Sequence, residues 1–282
     1  MLRLNLFRWL SSAQPIVAAL PIIALLTLSS AAHANEFCPE RPLKLALFEF
    51  GIFLDASSMK GLDPDLIALL QRRTGCRIDG EVMPRARHWV EMREGTVDMV
   101  TAAIPTAERD KFMYSLPYIR TRNVMILGSA VPAAIKDFKS FLEASELKLG
   151  VVRGFRHEPA LDEFIASLRA AGRVREEADS NLLFQALAAG TVEAVPAEPL
   201  VYPGNLKRNG LTGKVRIGDW LPRDQYAKGV LGLSRRTFTD AQVARWRSLL
   251  KNLLDEGTLQ RLGSTYLSAD EARSMFTPNI AD

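Results

Sequence analysis

Leu43-Lys44-Leu45-Ala46-Leu47-Phe48, followed after a loop by Asp63-Pro64-Asp65-Leu66-Ile67-Ala68-Leu69-Leu70 and then Gly75, is the stretch that decides the fold. The first run is short and apolar, as a strand buried on both faces must be. Asp63 before Pro64 matches a helix N-cap followed by proline in the first turn. Leu66, Ile67, Leu69 and Leu70 then form one apolar face, and Gly75 supplies the stop. A strand that feeds a helix in this way is half of a βαβ unit.

Outward from this unit the pattern repeats. Val97 to Ile104 and Asn123 to Leu127 read as further strands. A second series begins near residue 136, with a strand over Leu147 to Val152. Leu161, Phe164, Ile165 and Leu168 follow at helical spacing, closed by Gly172. A shorter helix over Asn181 to Ala188 precedes a strand over Val192 to Ala197. Alternation of this kind predicts an α/β fold with mostly parallel sheets flanked by helices. The chain closes with a strand over Tyr226 to Leu233. After it come a capping box at Thr239-x-x-Gln242 and a helix carrying Val243, Trp246, Leu250 and Leu253. These last elements have no partner in the second block, so they are expected to return to the first. That gives two lobes joined by two crossings, with residues 35–128 plus 226–282 in lobe 1 and 129–225 in lobe 2. Two crossings make a hinge, and a hinged cleft suits ligand capture.

The first 34 residues read as a cleavable secretory leader. Arg3 and Arg8 precede an apolar run from Ile16 to Leu28, and Ala32-His33-Ala34 offers small residues where a signal peptidase reads. The run is about 13 residues, short of the ~20 that span a bilayer; an uncleaved anchor is the rival reading. Asn35-Glu36-Phe37 before Cys38 lacks the small residues of a lipidation site. The expected location is therefore the periplasm. A formal net charge of only +4 argues against a nucleic-acid or membrane-surface role. Cys38 and Cys76 precede the first and second expected strands, so in a sheet with those strands adjacent they share an edge. In an oxidising compartment they form a disulfide or remain two separate buried thiols.

Catalytic and cofactor signatures are missing. His88 and His157, the histidines outside the leader, have no Cys or carboxylate at metal-ligand spacing, so no metal is expected. No G-x-S-x-G elbow, Walker A loop or G-x-G-x-x-G occurs, and no cofactor is expected.

Four stretches resemble the family 3 extracellular solute-binding proteins, which serve amino-acid-type ABC importers. Gly61-Leu62-Asp63-Pro64-Asp65-Leu66 is similar to the family's G-F-D-x-D-L. Gly95-Thr96-Val97-Asp98, Thr106-Ala107-Glu108-Arg109 and Ser115-Leu116-Pro117-Tyr118 resemble G-x-x-D, T-x-x-R and F-S-x-P-Y, in that order. Ala189-Gly190-Thr191-Val192-Glu193-Ala194 resembles the second-lobe G-x-x-D-A, and Asp255-Glu256-Gly257-Thr258-Leu259 resembles D-G-T-L. The resemblance covers nearly all of the mature chain. It implies the two-lobed periplasmic binding protein type II fold, a small-molecule ligand, an ABC permease as partner, and a monomer that catalyses no reaction.

Arg109, three residues after a cap at Thr106, is placed to grip a carboxylate with paired hydrogen bonds, as the matching family arginine does. Glu198 stands eight residues after Gly190, where the family has an acceptor for the ligand's amino group. Phe50 falls where an aromatic covers the ligand, and Thr101 is the hydroxyl left in the segment before the arginine. The family's G-[ST]-[ST] after the second-lobe strand is replaced by Gly154-Phe155-Arg156, which puts an ordinary α-amino acid in doubt. Met83-Pro84-Arg85-Ala86-Arg87 resembles a P-x-x-R segment, which would aim Arg87 into the cleft. Arg87, Arg109 and Arg156 together favour an anionic ligand. Two alternatives stay open: a dehydratase-like periplasmic enzyme on the same scaffold, with Glu198 or His157 as its acid or base, and a sensory or accessory binding partner without a transporter.

Overall fold

A computed structural model describes residues 36–222 and 224–280. The leader assigned to residues 1–34 lies outside the described residues. In chain order the elements are β1 (Leu43–Leu47), α1 (Leu62–Thr74), β2 (Ile78–Val82), α2 (Arg85–Glu94), β3 (Met99–Ala103), β4 (Met113–Thr121) and β5 (Val124–Leu127). Then come α3 (Phe138–Glu143), β6 (Leu149–Val152), α4 (Pro159–Ala170), β7 (Val174–Glu177), α5 (Ser180–Ala188), β8 (Ala194–Ala197), α6 (Tyr202–Arg208) and β9 (Arg216–Gly218). The last are β10 (Ala227–Ser234), α7 (Asp240–Asp255), α8 (Thr258–Gly263) and α9 (Ala269–Met275). No described helix is long and apolar enough to cross a membrane.

The strands form two five-stranded sheets, ordered β2-β1-β3-β10-β4 and β7-β6-β8-β5-β9. In the first, β1 pairs in parallel with β2 and β3, while β10 runs antiparallel to β3 and β4. The second repeats the scheme: β6 is parallel to β7 and β8, and β5 is antiparallel to β8 and β9. The antiparallel ladders come from the strands beside the crossings, which run toward and away from the hinge. This corrects the expected boundary at residue 128. β5 gives its main-chain groups to β8 and β9, so the first crossing lies at Arg122-Asn123, before β5 rather than after it. The return falls between β9 and β10, and β10 sits in the first sheet.

Local chemistry fixes the elements. α1 carries Asp63 and Asp65 in its first turn and Arg72 and Arg73 in its last, complementing the helix dipole. Gly75 closes it in the left-handed conformation, φ 70°. Thr239 and Gln242 form the reciprocal capping box on α7. That helix buries Trp246 completely, and its indole N–H donates to Phe37 O at 2.8 Å. Leu43, Leu45, Leu66, Leu70, Leu233, Trp246 and Leu250 share one core. In the second sheet, Leu149, Val151, Phe164 and Leu168 pack on one face, and Val152, Leu183, Phe184 and Val195 on the other. Each such side chain contributes roughly 1.5–3 kcal/mol on burial. Asp98, the acid of the G-x-x-D stretch, is structural. It accepts from both Arg41 Nη atoms at 2.7 and 2.8 Å, from Lys44 N and from the Thr237 hydroxyl, tying β1 to the end of β10.

Cys38 and Cys76 form a disulfide, with Cα atoms 6.0 Å apart and 38 residues of separation. The bond anchors the segment before β1 to the start of β2. Closing a loop of that length should stabilise the fold by about 4 kcal/mol. Urea unfolding of a Cys38→Ser/Cys76→Ser variant should lose most of that figure. A loss under ~1 kcal/mol would mean that native contacts already hold the N-terminal segment.

Candidate functional site

The site lies at the carboxyl ends of the parallel strands of both sheets, where open α/β folds bind ligands. After β1 come Phe48 and Phe50; after β3 comes a short 3₁₀ turn bearing Arg109. The second lobe contributes Gly154 to His157 after β6 and Glu198 after β8. Glu108 is the residue at the N-cap of the turn, and Thr106, the expected cap, stands before it with its Oγ accepting from Arg109 N at 3.1 Å.

Arg109 is buried in the cleft. Its Nη1 donates to Ile104 O at 2.6 Å, its Nη2 to Gly154 O at 2.8 Å, and its guanidinium lies 3.6 Å over the Trp89 ring. Trp89 Nε1 donates to the same Gly154 oxygen, also at 2.8 Å. One second-lobe carbonyl thus receives two first-lobe donors. Gly154 has φ 84°, and a Cβ there would stand 2.8 Å from Ala86 Cα, so this approach needs glycine. Burial, then the Arg85 and Arg156 charges, pull the Arg109 pKa down to about 9.

Phe50 is buried, stacked between Phe48 and Phe53 at 4.9 and 5.3 Å. Phe155 closes on it from the other lobe, edge-on to Phe48 and Phe50 at 5.5 and 5.2 Å. The cleft is consequently filled. About 20 Å³ remains among Phe50, Phe155, Arg156, His157 and Glu198, room for about one water.

Thr101 does not face the cleft. Its hydroxyl donates to Asp63 Oδ2 at 2.6 Å, and both residues are fully buried. Burial lifts Asp63 to about 7, against the Thr101 hydrogen bond and the Arg85 charge. Arg87 also departs from expectation. It points to solvent and pairs with Glu91 one turn on, at 2.8 Å. The inward stripe of α2 is Arg85, His88 and Met92, at i, i+3 and i+7, which puts Arg87 on the opposite face. Arg156 stays exposed at the cleft rim, its Nη1 donating to Phe155 O at 3.2 Å.

Arg85 is one residue that sequence reasoning missed. It is 4% exposed and lies 4.3 Å from the Phe48 ring centre and 4.6 Å from that of Trp89. It donates to Thr101 O at 3.1 Å and Ala102 O at 2.7 Å. Its Nη1 also meets His88 Nδ1 at 3.1 Å, while His88 Nε2 faces the Leu47 and Met83 carbonyls. Those partners require Nδ1 to accept and Nε2 to donate, so His88 is neutral. Burial, then the Arg85 charge, lower it to about 3. Burial draws Arg85 itself down to about 10, opposed chiefly by Asp63. The signal for Arg85 was present in the helical spacing shared with His88 and Met92. Ala102, which receives Arg85, sits at φ 45°, a conformation that costs a non-glycine residue of order 1–3 kcal/mol.

Glu198 approaches from the second lobe. Burial and then the Glu158 charge raise it to about 8, with Thr121 and Arg85 pulling the other way. Thr121 is close enough to act on it, yet neither Thr121 Oγ1 nor Glu198 Oε2 completes a hydrogen bond. Glu158, which the sequence did not single out, is fully buried and clamps the first crossing. It accepts from Asn123 N at 2.8 Å and Asn123 Nδ2 at 3.0 Å. His157 Nδ1 lies 3.1 Å from Asp162 Oδ1. Among the described residues, no group of three or more His, Cys, Asp or Glu is placed to hold a metal ion.

The model of the bacterial extracellular solute-binding proteins, family 3, matches residues 47–269. The chain belongs to that family. No curated protein matches it. Solved structures share the family 3 fold at low identity. An ancestral arginine-binding protein bound to arginine is 19% identical with a TM-score of 0.65, covering 80% of this chain and 98% of its own. A histidine kinase sensor domain with similarity to periplasmic binding proteins is 13% identical, TM-score 0.67, covering 81% and 96%. An ancestral amino-acid-binding protein, a precursor of cyclohexadienyl dehydratase, is 18% identical, TM-score 0.62, covering 80% and 95%.

Two expectations follow for this family 3 protein. Arg87→Ala should leave stability within about 0.5 kcal/mol of wild type, whereas Arg85→Leu, which orphans the Thr101 and Ala102 carbonyls, should cost about 2–4 kcal/mol in urea unfolding. The second concerns pH. Glu198 and Asp63 both hold their protons more tightly folded than unfolded, so protonation favours the fold. Glu198's contribution is whole below its ordinary value of 4.5 and gone once pH passes about 8. Stability should therefore fall as pH rises toward 8. Glu198→Gln should flatten that fall between pH 7 and 8, above Asp63's value of about 7; an unaltered slope would assign the titration to another group.

Proposed function

We propose that this chain is a periplasmic solute-binding protein that captures a small anionic or amino-acid-like molecule in the cleft and hands it to an ABC-type permease. One observation carries the reading. Arg85 and Arg109 are both buried at the cleft, and among the described residues neither forms an ion pair with a carboxylate. Buried guanidiniums that hold only carbonyls favour an incoming anion, which supplies a charge-assisted partner in a low dielectric. Glu198, protonated up to about pH 8, adds a neutral donor and acceptor opposite them. The Gly154 oxygen sits against Arg109 and Trp89 as a ligand oxygen would, so entry requires the Gly154-Phe155 loop to withdraw. Lobe motion about Arg122-Asn123 provides that movement, and contacts from both lobes give the ligand its preference for the closed state.

A dehydratase-like enzyme is the second reading. Its support is Glu198 itself, a shielded carboxyl held protonated near neutrality, which is the state of a general acid. Chromatography of ligand after incubation separates the two: recovery of unchanged ligand supports capture, and a dehydrated product supports catalysis.

The direct test is a thermal-shift screen with amino acids, dicarboxylates and small phosphorylated or sulfonated acids. A ligand at ~100 times its Kd should stabilise the fold by roughly 2.7 kcal/mol. Arg109→Ala and Arg109→Lys should both lose the response while their unliganded urea midpoints still report a folded protein. An unchanged response in both would overturn the assignment.

A further inference from the structure

The Gly154-Phe155 segment fills the cleft from the second lobe, and its two ends meet two different kinds of wall. The polar end is Gly154 O, which accepts from Arg109 Nη2 and from Trp89 Nε1, each at 2.8 Å. The apolar end is the Phe155 ring, with centroids 5.5 Å from Phe48 and 5.2 Å from Phe50. Interplanar angles of 88° and 76° are the edge-to-face arrangement that aromatic rings prefer. Between that carbonyl carbon and the ring lie the amide N, Cα and Cβ of Phe155.

The polar end suits an anion better than it suits the loop. Gly154 O is neutral, yet one of its donors is a buried guanidinium, and a carboxylate there makes a stronger, charge-assisted bond. Arg85 adds a second buried cation on the same Trp89 ring, at 4.6 Å. Among the described residues the two guanidiniums hold only carbonyls and the neutral His88 imidazole. The apolar end is a wall of aromatic faces and edges on which a ring already rests. About 20 Å³ is left beside that ring, so the loop and a ligand exclude one another. Gly154 reaches its position only without a side chain, because a Cβ would stand 2.8 Å from Ala86 Cα.

We propose that the segment occupies the place of the ligand, and that the ligand is an aryl carboxylate. Its carboxylate displaces Gly154 O from Arg109 and Trp89, and its ring replaces Phe155 against Phe48 and Phe50. A short chain matching N, Cα and Cβ of Phe155 joins the two ends. This rests on the capture reading above and names the ligand class of that same cleft. Loop and ligand compete for the same donors and the same aromatic wall. Apparent affinity is therefore reduced in proportion to the molecules whose cleft the loop leaves open.

The test is isothermal titration of the mature protein with phenylbutyrate, whose methylene chain matches that spacer. Hexanoate supplies the charge without the ring, and phenylbutanol the ring without the charge. The expected result is saturable binding of phenylbutyrate, about tenfold or more tighter than either control. Phe155→Ala removes the competing ring and should tighten phenylbutyrate about fivefold or more, and hexanoate by less. Gly154→Ala, which drives the loop away from Ala86, should tighten both acids. Weaker phenylbutyrate binding in Phe155→Ala would overturn the proposal, by making that ring a wall of the site. Equal affinity for phenylbutyrate and hexanoate would also overturn it, since the ring would then play no part in recognition. If an amino acid, dicarboxylate or phosphorylated acid raises the melting temperature while phenylbutyrate does not bind, capture stands and the aryl class falls. If no anion of any class binds, both fall.

Discussion

Gly154 O accepts from Arg109 Nη2 and from Trp89 Nε1, each at 2.8 Å, and this shared carbonyl joins the lobes across the cleft. Around it the other contacts fall into place. Phe155 follows directly and enters the Phe48–Phe50 stack, while Ala86 at the start of α2 sits against the glycine backbone. A hydrogen bond with one charged partner is worth roughly 1.5–3 kcal/mol, more than a neutral one, and here two donors share the acceptor. Closure rests on a main-chain atom that no side-chain substitution deletes, though any residue other than glycine at 154 would push the loop away.

The price of that arrangement is a set of charges kept from water. Asp63, Arg85, Arg109, Glu158 and Glu198 lie within a few side chains of one another, and desolvation is the largest influence on every one whose titration shifts. Acids go up and bases go down, the direction burial imposes when opposite charges do not pair closely. Asp63 and Arg85 act on each other at a distance, through Thr101 and its carbonyl, rather than as an ion pair. Removing one member of such a set leaves the others uncompensated, which is why these residues matter to stability as much as to binding.

The elements that build the lobes follow the motifs read in the sequence more closely than the cleft does. The motifs that build the lobes are in place: Asp98 ties two strands together and Gly75 ends its helix. Where a hydroxyl-rich ligand shell is expected, Thr101 faces inward to Asp63 and Phe155 fills the space. The buried positive charge of the cleft is carried by two guanidiniums on first-lobe elements, Arg85 and Arg109.

The sequence by itself determined the α/β class, the capping box of α7, the two-crossing layout, the pairing edge of Cys38 and Cys76, and the placement of Phe50, Arg109 and Glu198 at strand ends. Those features follow from local periodicity and turn chemistry, which neighbouring residues encode. The N-cap of α1, by contrast, is Gly61, and the expected cap, Asp63, lies inside the helix and turns its carboxylate to Thr101. Tertiary structure alone decided that β5 joins the second sheet, because hydrogen-bond pairing between distant strands leaves no mark on either strand's own pattern. It also decided that Arg85 and not Arg87 faces inward. The spacing of Arg85, His88 and Met92 held that answer, but an arginine on a helix is ordinarily solvated, and only the aromatic walls of Phe48 and Trp89, brought together by the fold, make its burial tolerable.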